Sequence, residues 1–233
     1  MKTNDQIAAE ILSPLASSVP IISRFVILRQ ACLPQLSRVF AKLDPDPIKT
    51  AHKTYSFVSK GINCILSNGL NDQAIKILAS GKRYHADLNV SQRDFSASMA
   101  ILVTSIENWI QRVQRRTISS EESRILADFF HRVGIETGIY GLPRESLAGY
   151  RELLSDYVSK IEGAASEDSR ILFRGIREWD FKNRGRIVPL LEFWLFQSLL
   201  DKRSLEMLGI GSTVKAPKRL IQHALRLANA HAK

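Results

Sequence analysis

The chain has 233 residues, of which 45% are hydrophobic and 24% charged, a composition that excludes wholesale disorder and permits a sizeable core. Its formal net charge of +10 predicts loose association with polyanions, but the basic residues are spread along the chain and indicate no dedicated nucleic-acid surface. Residues 1–10 lack the pattern of a secretory signal, and the apolar stretch 19–28 is interrupted by Arg24 and too short to span a bilayer. We therefore expect a soluble, cytoplasmic protein.

Helical patterning runs through the first half of the chain. It predicts a short helix that Ser13-Pro14 stops, followed by a buried helix over 20–31 and another after Pro34. Asp44-Pro45-Asp46-Pro47 breaks the pattern, because proline is excluded from helix interiors, and aspartate can cap the next helix. The helices that follow are predicted over 48–66 and 73–83, with a turn at Asn68-Gly69 and a cap at Asn71-Asp72.

The second half of the chain is also patterned as helices. Its longest periodic run is 91–113, and Ser119 with Glu122 forms a predicted capping box for a helix that ends near Gly134. Residues 163–169 are small and polar and predict a linker. Further helices are predicted at 145–161, 169–179, 187–200 and 217–230, the last of them basic and amphipathic.

No segment alternates apolar and polar residues as a strand would. The sequence therefore predicts an all-α fold: one globular multi-helix domain with a largely buried helical core. Within it we expect an N-terminal helical extension (1–25), a main helical domain (26–210) and a basic C-terminal helix packed on that domain (211–233).

The side chains that carry chemistry are few. Cys32 and Cys64 lie in apolar helical contexts without metal-ligand spacing, and we expect buried free thiols of a reducing compartment. Phosphate loops, zinc-protease motifs and nucleophile elbows are absent from the sequence. Asp128 and His131 have the spacing of half a di-iron motif, but a single copy predicts an ordinary helix face. His52 is expected to be exposed, whereas His85 ends an apolar helix and is either an inward-facing ligand or a structural residue.

Six motifs follow one another in an order known from one protein family. They are an apolar-x-x-Pro segment, a proline-led segment ending in Lys-Thr, a histidine one helical hairpin later, a serine-acidic helix start, a Gly-x-x-x-Gly with a Leu-Pro loop, and a closing segment. In this sequence they are Ala31–Pro34, Pro47–Thr54, His85, Ile118–Glu122, Gly134–Ser146 and Leu205–Ile210. Residues 26–210 thereby resemble the helical family of b-type haem proteins that includes the latex-clearing rubber oxygenases and the mycophenolate-pathway oxygenase.

The resemblance implies a haem b in a hydrophobic pocket, with His85 as the axial ligand of its iron. By position it implies that Lys53 and Thr54 lie over or beside the haem as catalytic residues. Neutral imidazole is a good iron ligand, and an apolar helical cage excludes water. The cations expected to pair with the haem propionates are Lys60, Lys82 and Arg83. Thr50 occupies the position of the family's arginine, so a catalytically degenerate member is an alternative.

The expected function is that of a haem-dependent oxygenase or oxidoreductase acting on a hydrophobic, isoprenoid- or lipid-like substrate. The alternative is a non-enzymatic helical module that binds lipid or an anionic membrane surface peripherally through residues 215–233. That basic helix can equally pack on the bundle. No specific nucleic-acid partner is expected, since Trp109 belongs to an apolar stripe rather than to a base-stacking surface.

Overall fold

The computed structural model describes residues 2–41, 46–87, 90–161, 166–184 and 187–200; most of these are helical, and there is no strand among them. The predicted all-α fold is confirmed. The elements are α1 (Asn4–Leu12), a 3₁₀ segment (Ser13–Ser18), α2 (Val19–Ala31), α3 (Pro34–Ala41), α4 (Pro47–Asn68), α5 (Asp72–Asp87), α6 (Gln92–Asn108), a π turn (Trp109–Val113), α7 (Ser120–Thr137), α8 (Leu147–Ser159), α9 (Glu167–Arg184) and α10 (Ile187–Leu199).

The chain divides into two compact units. Unit 1 contains the described residues from 2 to 22 and from 59 to 161, and unit 2 contains those from 23 to 58 and from 166 to 200. The predicted domain limits stay predictions. The predicted C-terminal helix and the motif Leu205–Ile210 lie outside the described residues.

Unit 1 has a core of large apolar side chains. In it α6 packs on α8, and both α1 and α5 pack on α7. Trp109, Phe129 and Phe130 are almost completely buried. Arg132 on α7 donates to both carboxylate oxygens of Asp5 on α1, which fixes the first helix to the core.

Unit 2 is built around α9, which packs on both α3 and α10. Three hydroxyls join the start of α9 to α3, with Ser37, Ser166 and Ser169 separated by 2.8–3.1 Å. Phe25 of α2 stacks on Phe196 of α10, with ring centroids 5.6 Å apart. These contacts position α9 and α10, the two helices that carry the site described below.

The local signals for helix starts and turns were predicted correctly. Ser119 and Glu122 form a capping box, and Asn71 Oδ1 accepts from the Ala74 amide at 2.8 Å. Asp46 likewise accepts from the Ile48 amide at 2.9 Å. Helix α7 runs three residues beyond the predicted end at Gly134, because Gly138 rather than Gly134 adopts the left-handed conformation (φ 78°). Cys32 and Cys64 are buried and free, as predicted.

The predicted stop of the first helix at Ser13-Pro14 is confirmed, because α1 ends at Leu12 with Ser13 as its C-cap. Pro14 lies at the start of the 3₁₀ segment, where its missing N–H is not required, and helical structure continues into α2. The stretch from Asn4 to Ala31 is consequently long and apolar enough, by length and composition only, to cross a membrane, and 67% of its most apolar window is buried within the protein. Because core helices of soluble proteins pass the same test, the cytoplasmic location stays a prediction.

Two helical glycines of unit 1 are expected to respond oppositely to alanine. A Cβ at Gly134 would collide with Leu142 Cδ1 and lie 3.1 Å from the Ile139 carbonyl oxygen, whereas a Cβ at Gly61 meets nothing within 4 Å. Overpacking should therefore make Gly134→Ala less stable by about 1–3 kcal/mol. Gly61→Ala should gain about 0.5–1 kcal/mol from helix propensity. Urea unfolding followed by far-ultraviolet circular dichroism measures both changes, and equal effects would contradict the packing at Gly134.

Candidate functional site

A pocket of about 210 Å³ lies in unit 2, between α9 and α10 and against Leu28 of α2. Most of its wall is apolar, because α10 is a nearly continuous apolar helix and α9 turns its phenylalanines toward it. The apolar lining residues are Leu28, Phe173, Ile176, Phe181, Pro189, Leu190, Phe193 and Phe196. We call this concavity the unit 2 pocket.

Two carboxylates line the same pocket, and each is paired with arginine. Arg24 Nε donates to Asp180 Oδ1 at 3.0 Å, and Arg184 donates to both oxygens of Glu192 at 2.6 and 2.7 Å. Two longer ion pairs connect the same residues: Arg24 lies 3.8 Å from Glu192, and Arg184 lies 3.6 Å from Asp180. We call Arg24, Asp180, Arg184 and Glu192 the buried charge cluster.

The buried charge cluster is electrically balanced, with two positive and two negative groups. The side chains of Arg24, Asp180 and Glu192 are each no more than 10% exposed, so these charges need their partners to be tolerated away from water. Hydrogen bonds to Glu192 raise the pKa of the Arg184 guanidinium. Asp180 and Glu192 thus give the pocket a polar wall, and their charges are balanced by Arg24 and Arg184, which do not line it.

Aromatic rings extend the cluster toward the first half of α4. The guanidinium of Arg24 lies over the Tyr55 ring, 4.8 Å from its centroid. Trp179 of α9 contacts both Tyr55 and His52, with ring centroids 5.4 and 5.6 Å apart. His52 is exposed, as predicted. Tyr55 therefore packs against both Arg24 and Trp179 and helps to hold the arginine in place.

The residues predicted to form a haem site are distributed over both units. Lys53, on α4, belongs to unit 2 and is exposed; Lys60 and Lys82 belong to unit 1 and are exposed. The stem of Lys82 covers Gly138, since a Cβ at that glycine would lie 2.9 Å from Lys82 Cγ.

The side chains of Thr54, Arg83 and His85 lie outside the described structure, although the backbone of α5 places His85 in its last turn. The predicted haem site therefore stays a prediction.

The unit 2 pocket does not fit haem b. Its volume of about 210 Å³ is below the roughly 300–1,000 Å³ of pockets for drug-sized ligands. Its lining contains none of the histidine, cysteine, methionine or tyrosine side chains that bind haem iron. Within the described ranges, no group of three or more His, Cys, Asp or Glu side chains is arranged to hold a metal ion.

Sequence reasoning missed the buried charge cluster. Its signals were charged residues inside apolar helices: Arg24 in α2 and Glu192 in α10. A charge in such a position must find a partner, since an unpaired buried charge is very costly. Asp180 and Arg184, four residues apart on α9, supply those partners.

No protein-family model matches this chain, and no curated protein is significantly similar to it. The resemblance to the rubber oxygenases therefore stays a prediction that rests on the six motifs.

The carboxyl of Asp180 is expected to make stability depend on pH. Burial raises its pKa, Glu192 acts in the same direction, and Arg24 and Arg184 act against the shift. A raised pKa means that the folded state binds the proton more tightly than the unfolded chain. The contribution of Asp180 to stability is therefore fully present below the unfolded value of about 3.9 and is lost as pH rises through the folded pKa.

Asp5 serves as a control of opposite sign for this prediction. The hydrogen bond from Arg132 lowers the pKa of Asp5, so its contribution is present above the unfolded value and is lost as pH falls through the folded pKa. Unfolding free energies of the wild type, Asp180→Asn and Asp5→Asn between pH 3 and 8 measure both. Difference curves with the same slope for the two variants would contradict the assignment.

Proposed function

We propose that this protein binds a small apolar molecule in the unit 2 pocket. The observation that carries the proposal is an apolar concavity walled on one side by a neutralised set of buried charges. Small-molecule sites are concave and mostly apolar, with a few fixed polar groups that orient the ligand. The pocket has this composition.

Its size limits the ligand. The volume of about 210 Å³ is somewhat larger than the roughly 150 Å³ of an engineered apolar cavity that holds benzene. The pocket thus suits a ring with a short substituent, a medium-length alkyl chain or a short isoprenoid chain. This agrees with the hydrophobic, isoprenoid- or lipid-like substrate class expected from the sequence, and requires no catalytic step.

Methyl-resolved NMR with octan-1-ol as the probe tests the proposal. We expect saturable shifts of the Leu28, Ile176 and Leu190 methyls, and no shifts of Ile125 and Leu126, which are buried in unit 1.

Leu190 is 40% exposed on the pocket wall, so Leu190→Trp should obstruct the pocket and weaken binding at least tenfold. Ile75→Trp is the matched control, because Ile75 is 36% exposed on α5 of unit 1. Shifts in both units, or equal binding by both variants, would contradict the proposal.

A haem-dependent oxygenase remains a second proposal, supported by the ordered motifs around Pro47–Thr54 and His85. If haem b binds, His85 would hold it and the group would supply oxygen activation. Its test is the ultraviolet-visible spectrum after titration with haemin. We expect a Soret band that His85→Ala shifts or removes and that His52→Ala, a change at an exposed histidine, leaves in place. Absence of the band, or identical spectra for the two variants, would end this proposal.

A further inference from the structure

Arg177 is an exposed cation on the wall of the unit 2 pocket. Its guanidinium lies over the ring of Phe181, one helical turn further along α9, at 5.6 Å from the ring centroid. Phe181 itself lines the pocket. In the part of the chain that the structure describes, no carboxylate pairs with Arg177.

The charge balance of the pocket follows from this arrangement. The carboxylates of Asp180 and Glu192 are already neutralised by Arg24 and Arg184. Arg24 and Arg184 do not line the pocket, but when they are counted with the carboxylates they neutralise, the exposed Arg177 is left as one net positive charge. A ligand that places an anionic group there gains a charge-assisted hydrogen bond, whereas a cationic ligand would have to compete with two arginines for the carboxylates.

We propose that the natural ligand is an anionic amphiphile: a molecule whose carboxylate binds Arg177 while its apolar tail occupies the pocket. The guanidinium can donate two parallel hydrogen bonds to one carboxylate, and its cation–π contact with the Phe181 ring holds it beside the pocket. This inference rests on the proposed binding of apolar molecules in the same pocket. It adds a head-group specificity and assigns it to one residue.

The test compares octanoate, octan-1-ol and octyltrimethylammonium at pH 7, below micelle-forming concentrations, by the shifts of the Ile176 and Leu28 methyls. Exposed ion pairs are weak, so we expect Arg177→Gln to weaken octanoate binding by about three- to fivefold. The same variant should weaken octan-1-ol binding less than octanoate binding, because a neutral hydroxyl forms no ion pair with Arg177. Arg174→Gln is the matched control, because Arg174 is an exposed arginine of α9 outside the pocket lining. It should leave the affinity for octanoate unchanged, and added salt should weaken octanoate binding selectively.

The outcomes separate the two proposals. If octan-1-ol binds but octanoate binding is insensitive to Arg177→Gln, the head-group inference is overturned and apolar binding stands. Equal losses in the Arg177 and Arg174 variants would show a general charge effect and also overturn the inference. Tighter binding of octyltrimethylammonium would mean that the carboxylates, not Arg177, select the head group. If none of the three probes moves the pocket methyls, both proposals fail together.

Discussion

Arg24→Met is expected to lower the free energy of unfolding by about 3–5 kcal/mol. The arginine side chain is only 6% exposed and pairs with Asp180 at 3.0 Å and with Glu192 at 3.8 Å. Methionine preserves much of its apolar volume but removes the charge. Among the described residues, Asp180 and Glu192 would then share the cation of Arg184, and one buried negative charge would be left uncompensated. Urea unfolding at pH 7 measures the change.

Two further variants isolate the cause of this loss. Arg38 also belongs to unit 2, but its side chain is 65% exposed and lies 4.0 Å from Asp168, so Arg38→Met should cost no more than about 1 kcal/mol. The double variant Arg24→Met/Asp180→Leu removes the stranded carboxylate together with its partner. Since a buried ion pair often contributes little net stability, the double variant should recover most of the loss. A double variant as unstable as Arg24→Met would show that the arginine acts through packing, against Tyr55 for example.

The parts of this fold that sequence predicts are the local ones. The capping box of Ser119 and Glu122 and the turn at Gly69 depend on residues within one helical turn, so their patterns can be recognised directly. The stop of the first helix at Ser13-Pro14 was also predicted correctly, but the sequence did not distinguish a full stop from a 3₁₀ segment that begins there and continues into α2. That distinction depends on how the flanking residues pack, which a single sequence does not contain.

The candidate site depends on pairings between residues distant in sequence. Arg24 and Asp180 are 156 positions apart, and their contact depends on how α2 meets α9 within unit 2. Isolated charges in apolar helices could have indicated that buried partners exist, but not which ones. The haem-site residues were instead chosen because their motifs follow the order known from one family. In the structure the side chains of Lys53, Lys60 and Lys82 are exposed, and their exposure gives no support to that choice. The unit 2 pocket and the predicted haem site are thus separate hypotheses with separate tests.

Phe196→Ala is expected to destabilise the protein by about 3–5 kcal/mol and to enlarge the unit 2 pocket. Phe196 is 3% exposed, lines the pocket and stacks on Phe25, so truncation removes a buried ring and its aromatic partner contact. The space it leaves is continuous with the pocket. A longer apolar ligand should therefore occupy it, and decan-1-ol should bind this variant more tightly than the wild type.

Binding of the longer ligand should restore part of the lost stability. At a free concentration of 100 times Kd, a ligand that binds only the folded state adds about 2.7 kcal/mol. Phe129→Ala is the matched control, because Phe129 is a fully buried phenylalanine of unit 1 and its loss should cost a similar amount. Thermal unfolding with and without decan-1-ol measures the rescue, and Phe196→Leu provides a milder version if the alanine variant does not fold. Equal stabilisation of the Phe129 and Phe196 variants by decan-1-ol would mean that the alcohol acts on the protein generally. That result would contradict binding in the unit 2 pocket.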